Sequence, residues 1–304
     1  MASLLDDVRE VARGWRWGRR RVLPRSAEPT SDPPPAKEFP TAWARTPAGR
    51  GAREAIQRFV LRPLVWSQTR PSVEGLDHLA GIRPPVMFVS NHASHLDAPL
   101  VLCSLPKHWR RRTATAAAAD YFFDVWWRAA STALVFNAIP IERAGSGRRS
   151  TNTAQDLTAR GWNLLVFPEG TRSRDGWVGR FRHGAARLCI DHGLPAIPVA
   201  IRGAYAAMPR GRSWPRPGRL PVSVRFGPPL SPREGEDFGS FSRRLQLAHA
   251  RLWDEDRTTW WDSIRREAET STPPVSGPEA ARWRRVWESS RPIARREPSR
   301  VWPK

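Results

Sequence analysis

Residues 84–100 read "PPVMFVSNHASHLDAPL". Val86 to Ser90 form a short run with no polar face, stopped by two prolines on one side and by Asn91-His92 on the other. A run of that length, apolar on successive residues, is the pattern of a strand buried on both faces. A helical pattern starts near Asp97. Strand, short polar turn and helix make the repeating step of an α/β domain.

The step recurs along the chain. "VMFVS" (86–90), "ATAAAA" (114–119), "AIPIE" (138–142), "NLLVF" (163–167), "AIPVAI" (196–201) and "VSVRFG" (222–227) read as strands, with helical patterns at 97–105, 120–132, 148–160 and 183–192. Phe241, Leu245, Ala248 and Leu252 mark a further helix packing on the sheet, and Trp253, Trp260 and Ile264 extend its apolar face. The expectation is an α/β single domain over 51–270, with a largely parallel central sheet flanked by helices. In such sheets ligands gather where strands end and loops lead into helices.

Both ends read differently. Ser3 and Asp6 look like a capping pair, and Leu4, Val8, Val11 and Trp15 recur at helical spacing among arginines, so 1–23 is expected to be a basic amphipathic helix. Residues 24–50 hold too many prolines for a helix or ladder strand and read as a linker. Residues 271–304 form a basic Pro- and Trp-rich tail, expected to be flexible. Within it Trp283 and Trp287 stand one helical turn apart among Arg282, Arg284 and Arg285, the pattern of a membrane or partner contact as well as of a solubilising tail. "RFVLRPLVW" (58–66) is a further apolar patch whose Pro63 argues against one long helix.

The 304 residues carry a formal charge of +21, mostly from arginine, which calls for anionic partners: nucleic acid, an anionic membrane surface or phosphorylated substrates. The chain has 16 Trp and only 2 Tyr, and Trp is the side chain that settles best at a membrane–water boundary. Cys103 and Cys189, both in apolar surroundings, give no disulfide framework and read as inert buried thiols in a reducing compartment. The N-terminus has its acids first and its arginines after the apolar positions, the reverse of a secretory signal. No window approaches the ~20 apolar residues of a spanning helix. A cytoplasmic protein, peripheral on the inner face of a membrane, is expected.

Four stretches carry chemistry. His92, His95 and Asp97 would need further ligands to hold a metal, and the remaining histidines form no second cluster, so no metal is expected. No Gly-x-Ser-x-Gly elbow is present either. His92 with Asp97 can instead form a dyad: a carboxylate on one ring nitrogen fixes the tautomer and leaves the other as a base. Positions five apart diverge by about 140° on one helix. The dyad therefore needs His92 in the strand-to-helix turn and Asp97 on the first helical turn. The alternative is that Asn91 caps a helix and both histidines are incidental. In "LLVFPEGTRSRDG" (164–176), Pro168 stops a strand and Gly170 frees the backbone beside Glu169, Thr171 and Arg172, a set that can hold a phosphate. Arg143 ends the strand of "FNAIPIERAGSG", and Arg202 ends "LPAIPVAIRG".

Together these residues carry a resemblance. "NHASHLD" is similar to the Asn-His-x-Ser-x-x-Asp block of the lysophosphatidic acid acyltransferase family, related to glycerol-3-phosphate acyltransferases. "FPEGTRS", "AIPIER" and "AIPVAIRG" resemble that family's three other blocks, in its order, and the likeness spans roughly residues 55–255. "GRFRHGAARL" (179–188) resembles the Phe-Lys-x-Gly segment, with Arg182 at the basic position. Where the second block often begins with Gly, this chain has Asn137.

The resemblance implies a glycerol-3-phosphate acyltransferase-like fold and transfer of a fatty acyl group from acyl-CoA or acyl carrier protein to a hydroxyl of a lysophospholipid. It makes His92 the general base and Asp97 its orienter, with Asn91, Ser94, Arg143, Glu169, Gly170, Thr171, Arg172 and Arg182 around the substrate. It implies no tightly bound cofactor and an anionic membrane surface as partner. Two other classes compete with it. A nucleic-acid-binding protein would account for the charge, but the charge sits in the ends rather than in a reader motif, so no nucleic acid partner is expected. A membrane scaffold that has lost activity would not need His92 and Asp97.

Overall fold

The structure is a computed structural model that describes residues 40–118, 126–141 and 148–294. The basic helix expected over 1–23, the linker up to residue 39, Arg143 and residues 295–304 lie outside the described residues. Seven strands among the described residues share one sheet: β1 (Thr69–Glu74), β2 (Met87–Ser90), β3 (Thr113–Ala118), β4 (Ala138–Ile141), β5 (Asn163–Val166), β6 (Ala196–Arg202) and β7 (Leu220–Phe226). Their order is β1-β7-β6-β2-β5-β3-β4. Every pairing is parallel except β6 with β7, so the expected largely parallel sheet is present.

Period-two alternation sets up the two cores. In β2, Phe88 joins Leu100, Val101, Leu165, Ile197 and Phe226 on one face, while Met87 and Val89 join Leu164, Phe181, Cys189, Phe241 and Leu245 on the other. A strand covered on both sides has no polar face to show, which is why β2, β5 and β6 read as continuous apolar runs.

The helices, in chain order, are α1 (Pro47–Ile56), α2 (Arg62–Gln68), α3 (Asp97–Ser104), α4 (Lys107–Arg111), α5 (Trp126–Phe136), α6 (Arg148–Ala159), α7 (Gly184–His192), α8 (Ala204–Ala207), α9 (Phe238–Arg257), α10 (Trp260–Ala268) and α11 (Arg282–Ser289). Of the helix read over 120–132, residues 126–132 lie in α5, which runs on to Phe136, and residues 120–125 lie outside the described residues. Among the described residues, no helix is long and apolar enough to cross a membrane.

One strand was not read from the sequence and three expectations are corrected. β1, "TRPSVE", is polar, holds Pro71 and pairs only with β7 at the sheet edge, where proline is tolerated. Helical structure starts inside the span read as linker: Thr46 accepts from Gly49 N (3.2 Å) as the N-cap of α1, and Pro47 occupies the first turn, where proline is tolerated. Pro63 does not break the helix. A π turn over Gln57–Leu61 joins α1 to α2 and puts Pro63 in the first turn of α2, the widened turn absorbing its missing donor. The tail is anchored over 271–294, as described below.

The cores also hold a proton-sensitive group. His249 on α9 is fully buried, between Phe181 and Trp253, with neither ring nitrogen bonded, and burial pushes its pKa down to about 3. The unfolded chain takes up this proton near pH 6.5, whereas the native chain does not until about 3. This contribution to stability is complete above pH 6.5 and is lost as pH falls below it, by about 1.4 kcal/mol per pH unit. Urea midpoints measured from pH 7 to pH 4 should fall less steeply in His249→Leu than in wild type.

Candidate active site

β2 and β5 lie side by side in parallel, so the loops leaving their carboxyl ends meet. The first loop carries His92, and α3 begins at Asp97. His92 Nδ1 lies 2.9 Å from Asp97 Oδ2, so the dyad forms across the strand-to-helix turn. The same Oδ2 accepts the N–H groups of Ala93 and Ser94, both at 2.7 Å. Asp97 is fully buried, while the His92 side chain keeps 20% of its surface exposed. With Nδ1–H donating to Asp97, Nε2 is the nitrogen left to accept a proton. Phe167, at the end of β5, stacks on the imidazole with ring centroids 4.2 Å apart and 23° between planes.

The second loop is held to the first through backbone groups. Glu169 Oε1 accepts from His92 N (2.7 Å) and Oε2 from Gly179 N (2.7 Å), and Ser173 N donates to His92 O (2.7 Å). Burial pushes the Glu169 carboxyl up to about 8, against the downward pull of those two N–H donors. Glu169 therefore fastens the His92 loop in place, with both carboxyl oxygens turned to the backbone. In Glu169→Gln the amide NH2 would face one of the two N–H donors. That variant should lose about 1–3 kcal/mol of stability. Amide exchange at His92 or Gly179 should accelerate, checked by hydrogen-exchange mass spectrometry.

Asn91 and Ser94, expected beside the substrate, are turned inward. Asn91 is buried and extends the ladder to β6, with Nδ2 donating to Ile201 O (3.0 Å) and Oδ1 accepting from Ile201 N (2.8 Å). Ser94 Oγ donates to Met208 O (2.8 Å) and accepts from Leu96 N (3.2 Å). The fourth block thus serves the site by receiving Asn91, while its Arg202 pairs with Asp256.

The exposed polar groups are on the second loop. Thr171 is exposed and Arg172 half-exposed. Gly170 adopts φ +71, and a Cβ there would lie 3.1 Å from the Arg182 guanidinium, so glycine serves both the turn and the close approach of Arg182. Burial first, then the positive fields of Arg172 and His92, push His95 down to about 4. Asn137 takes the left-handed conformation (φ 49), which Asn tolerates better than most side chains, and donates through Nδ2 to Thr113 O (3.1 Å). That accounts for Asn in place of Gly at the start of the second block. Among the described residues, no three His, Cys, Asp or Glu side chains converge as metal ligands.

Sequence reading missed what fixes the second loop from outside. Arg285 on α11 pairs with Asp175 (2.6 Å) and donates to Pro278 O (2.8 Å) and Ser276 O (2.7 Å), while Trp177 Nε1 donates to Arg285 O (3.1 Å). Val275 is buried in the core and its carbonyl accepts from Val178 N (3.1 Å). The tail read as flexible is therefore clamped to the loop beyond Arg172, with Trp283 and Trp287 left exposed.

Residues 70–202 match the family described as Acyltransferase. The domain belongs to the acyltransferase family. Its likeness to curated relatives points the same way. A 1-acyl-sn-glycerol-3-phosphate acyltransferase of Limnanthes douglasii is 29% identical over 174 residues, covering 55% of this chain and 57% of that protein. A chloroplastic enzyme of the same name from Arabidopsis thaliana is 30% identical over 142 residues, 46% of this chain and 38% of the relative. The alpha form from Mus musculus is 31% identical over 168 residues, 53% of this chain and 55% of the relative. The chain thus spans about half the length of the curated relatives it matches. The fold of the acyltransferase-family domain is also that of PlsC, the 1-acyl-sn-glycerophosphate acyltransferase of Thermotoga maritima. That crystal structure aligns with a TM-score of 0.54 at 24% identity, covering 72% of this chain and 84% of the other. The clamped tail lies beyond Arg202, outside the family match.

Proposed function

We propose that the protein is an O-acyltransferase of phospholipid synthesis that moves a fatty acyl group from acyl-CoA or acyl carrier protein to the free hydroxyl of lysophosphatidic acid. The observation that carries this reading is the His92–Asp97 pair at the carboxyl end of β2, with Nε2 left as the base. The family match and the names of the relatives support the substrate class.

In this mechanism the acceptor hydroxyl gives its proton to His92 Nε2 as its oxygen bonds to the thioester carbonyl carbon. Asp97 stabilises the imidazolium. The C–S bond then breaks, and the imidazolium returns its proton to the leaving thiolate, releasing a thiol and an ester. No acyl-enzyme forms and the thioester supplies the driving force, so no tightly bound cofactor or metal is required. Thr171, Arg172 and Arg182, with Arg143, contact the acceptor phosphate. Glu169 and Gly170 shape the loop that presents them. Glycerol 3-phosphate or another lysolipid is the alternative acceptor.

The protein is further proposed to act as a peripheral enzyme on the inner, cytoplasmic face of a membrane. Phe59 and Val60 on the π turn and Trp283 and Trp287 on α11 are exposed beside arginines, a pattern that favours an anionic lipid surface over nucleic acid. Full-length protein incubated with lysophosphatidic acid and either long-chain acyl-CoA or acyl carrier protein should form phosphatidic acid, identified by mass spectrometry. Absence of an acylated product with both donors, and with glycerol 3-phosphate and other lysolipids as acceptors, would reject the reading.

A further inference from the structure

A basic cavity lies at the other end of the helix that starts with Asp97. α3 runs from Asp97 to Ser104, and at 1.5 Å per residue its far end is about 10–12 Å from the dyad. There, α3, the start of α4 and the α1–α2 helix enclose a cavity of ≈ 340 Å³ lined by Glu54, Arg58, Arg62, Ser104, Lys107 and Arg110, among others. Glu54 is its one carboxylate, and it is already paired with Lys107 (2.7 Å) and with Arg111 outside the lining (3.1 Å).

Two groups in it are poorly answered. Arg110 is only 8% exposed as a residue, and its guanidinium makes no ion pair among the described residues, feeling only the field of the Glu54 carboxylate that Lys107 and Arg111 already hold. Ser104 is 9% exposed, and its Oγ is buried with no hydrogen-bond partner. A buried hydroxyl without a partner is costly. One bound anion with several acceptor oxygens would answer both. Arg58 and Arg62, exposed at the rim, add two further forked donors.

We infer that this cavity is a phosphoryl-anion site, separate from the acceptor-phosphate contacts beside His92. Three guanidinium groups without carboxylate partners suit a phosphate dianion better than a single carboxylate. The phosphoryl group comes either from a lipid headgroup or from soluble phosphate. Phe59 and Val60, exposed by 70% and 58% next to Arg58, place an apolar rim beside the cavity, as a lipid-borne phosphate would need. The inference does not depend on the proposed acyl transfer.

The test uses the full-length chain and inorganic phosphate, followed by calorimetric titration in a phosphate-free zwitterionic buffer. Wild type, Arg110→Met, Arg58→Gln/Arg62→Gln and, as a control for loss of one surface charge, Arg187→Gln on α7 would be compared. Saturable binding is expected in wild type and Arg187→Gln. The dissociation constant should rise by about tenfold or more in Arg110→Met and in the double variant, the loss expected for charge-assisted hydrogen bonds. The double variant changes only exposed side chains, so it keeps the test valid if Arg110→Met does not fold. Sedimentation with phosphatidylcholine vesicles, with and without phosphatidic acid, separates the sources. Phosphatidic-acid-dependent binding that weakens in the double variant assigns the lipid headgroup, and phosphate binding lost without change in vesicle binding assigns soluble phosphate. Unchanged dissociation constants in both variants, or no phosphate binding together with indifference to phosphatidic acid, would overturn the site.

Discussion

His92→Ala is expected to lower acyl transfer by about 10²–10⁴-fold, the usual contribution of a positioned general base, with the fold intact. The second half of that expectation follows from how the residue is held. Its backbone N–H donates to Glu169 and its carbonyl accepts from Ser173, and both bonds survive truncation of the side chain. The lost side-chain interactions are one hydrogen bond to Asp97 and the stacking on Phe167. Circular dichroism and the urea midpoint should change little while turnover collapses. Because the ring is partly exposed, added imidazole should restore a small part of the activity by occupying the vacated space. The Michaelis constant for the acceptor should hardly move if, as proposed, Thr171 and Arg172 on the second loop hold its phosphate.

Asp97→Asn is expected to cost both activity and stability, and the single oxygen Oδ2 explains why. It accepts from His92 Nδ1, Ala93 N and Ser94 N at once. In the variant the remaining oxygen, at the Oδ2 position, can still accept all three hydrogens, and the amide NH2 takes the place of Oδ1, which is buried without a hydrogen-bond partner. What is lost is the negative charge that stabilises the imidazolium formed when Nε2 takes a proton. The expected loss in turnover is again about 10²–10⁴-fold, with about 1–3 kcal/mol of destabilisation from a buried NH2 that finds no acceptor. Asp97→Ala should be the less stable of the two, because it leaves two buried N–H groups with no acceptor at all. Kinetics and urea midpoints measured on both variants check the ranking.

The fold was legible where burial on both sheet faces left its mark on the letters, and illegible where it did not. β2, β5 and β6 must be apolar on every residue, so their runs stood out. β1 lies at the edge with polar residues and Pro71, which no periodicity separates from a loop. Pro63 misled in the opposite direction, because a π turn that no local composition announces accommodates it. At the site, the dyad could be placed from spacing alone, as five residues cannot face each other on one helix but can across a strand-to-helix turn. The tasks of Asn91, Ser94 and Glu169 could not. Each is a polar residue in a polar-looking motif, and only the partners, 110 residues away for Asn91 and 77 for Glu169, show that they bind backbone. The Asp175–Arg285 clamp was equally hidden, since its members are 110 residues apart and the second lies in a stretch of tail-like composition.

A single-turnover experiment distinguishes attack of a His92-activated hydroxyl on the thioester from transfer through the enzyme. Enzyme in excess is mixed with acyl-labelled acyl-CoA, with and without lysophosphatidic acid, then quenched in acid, and the label on protein and on lipid is counted. Label should pass to the lipid only when acceptor is present, and the protein should never be labelled. Stoichiometric label on the protein in the absence of acceptor would contradict direct attack, because the acyl group would then have passed through a nucleophile of the enzyme rather than directly to the hydroxyl.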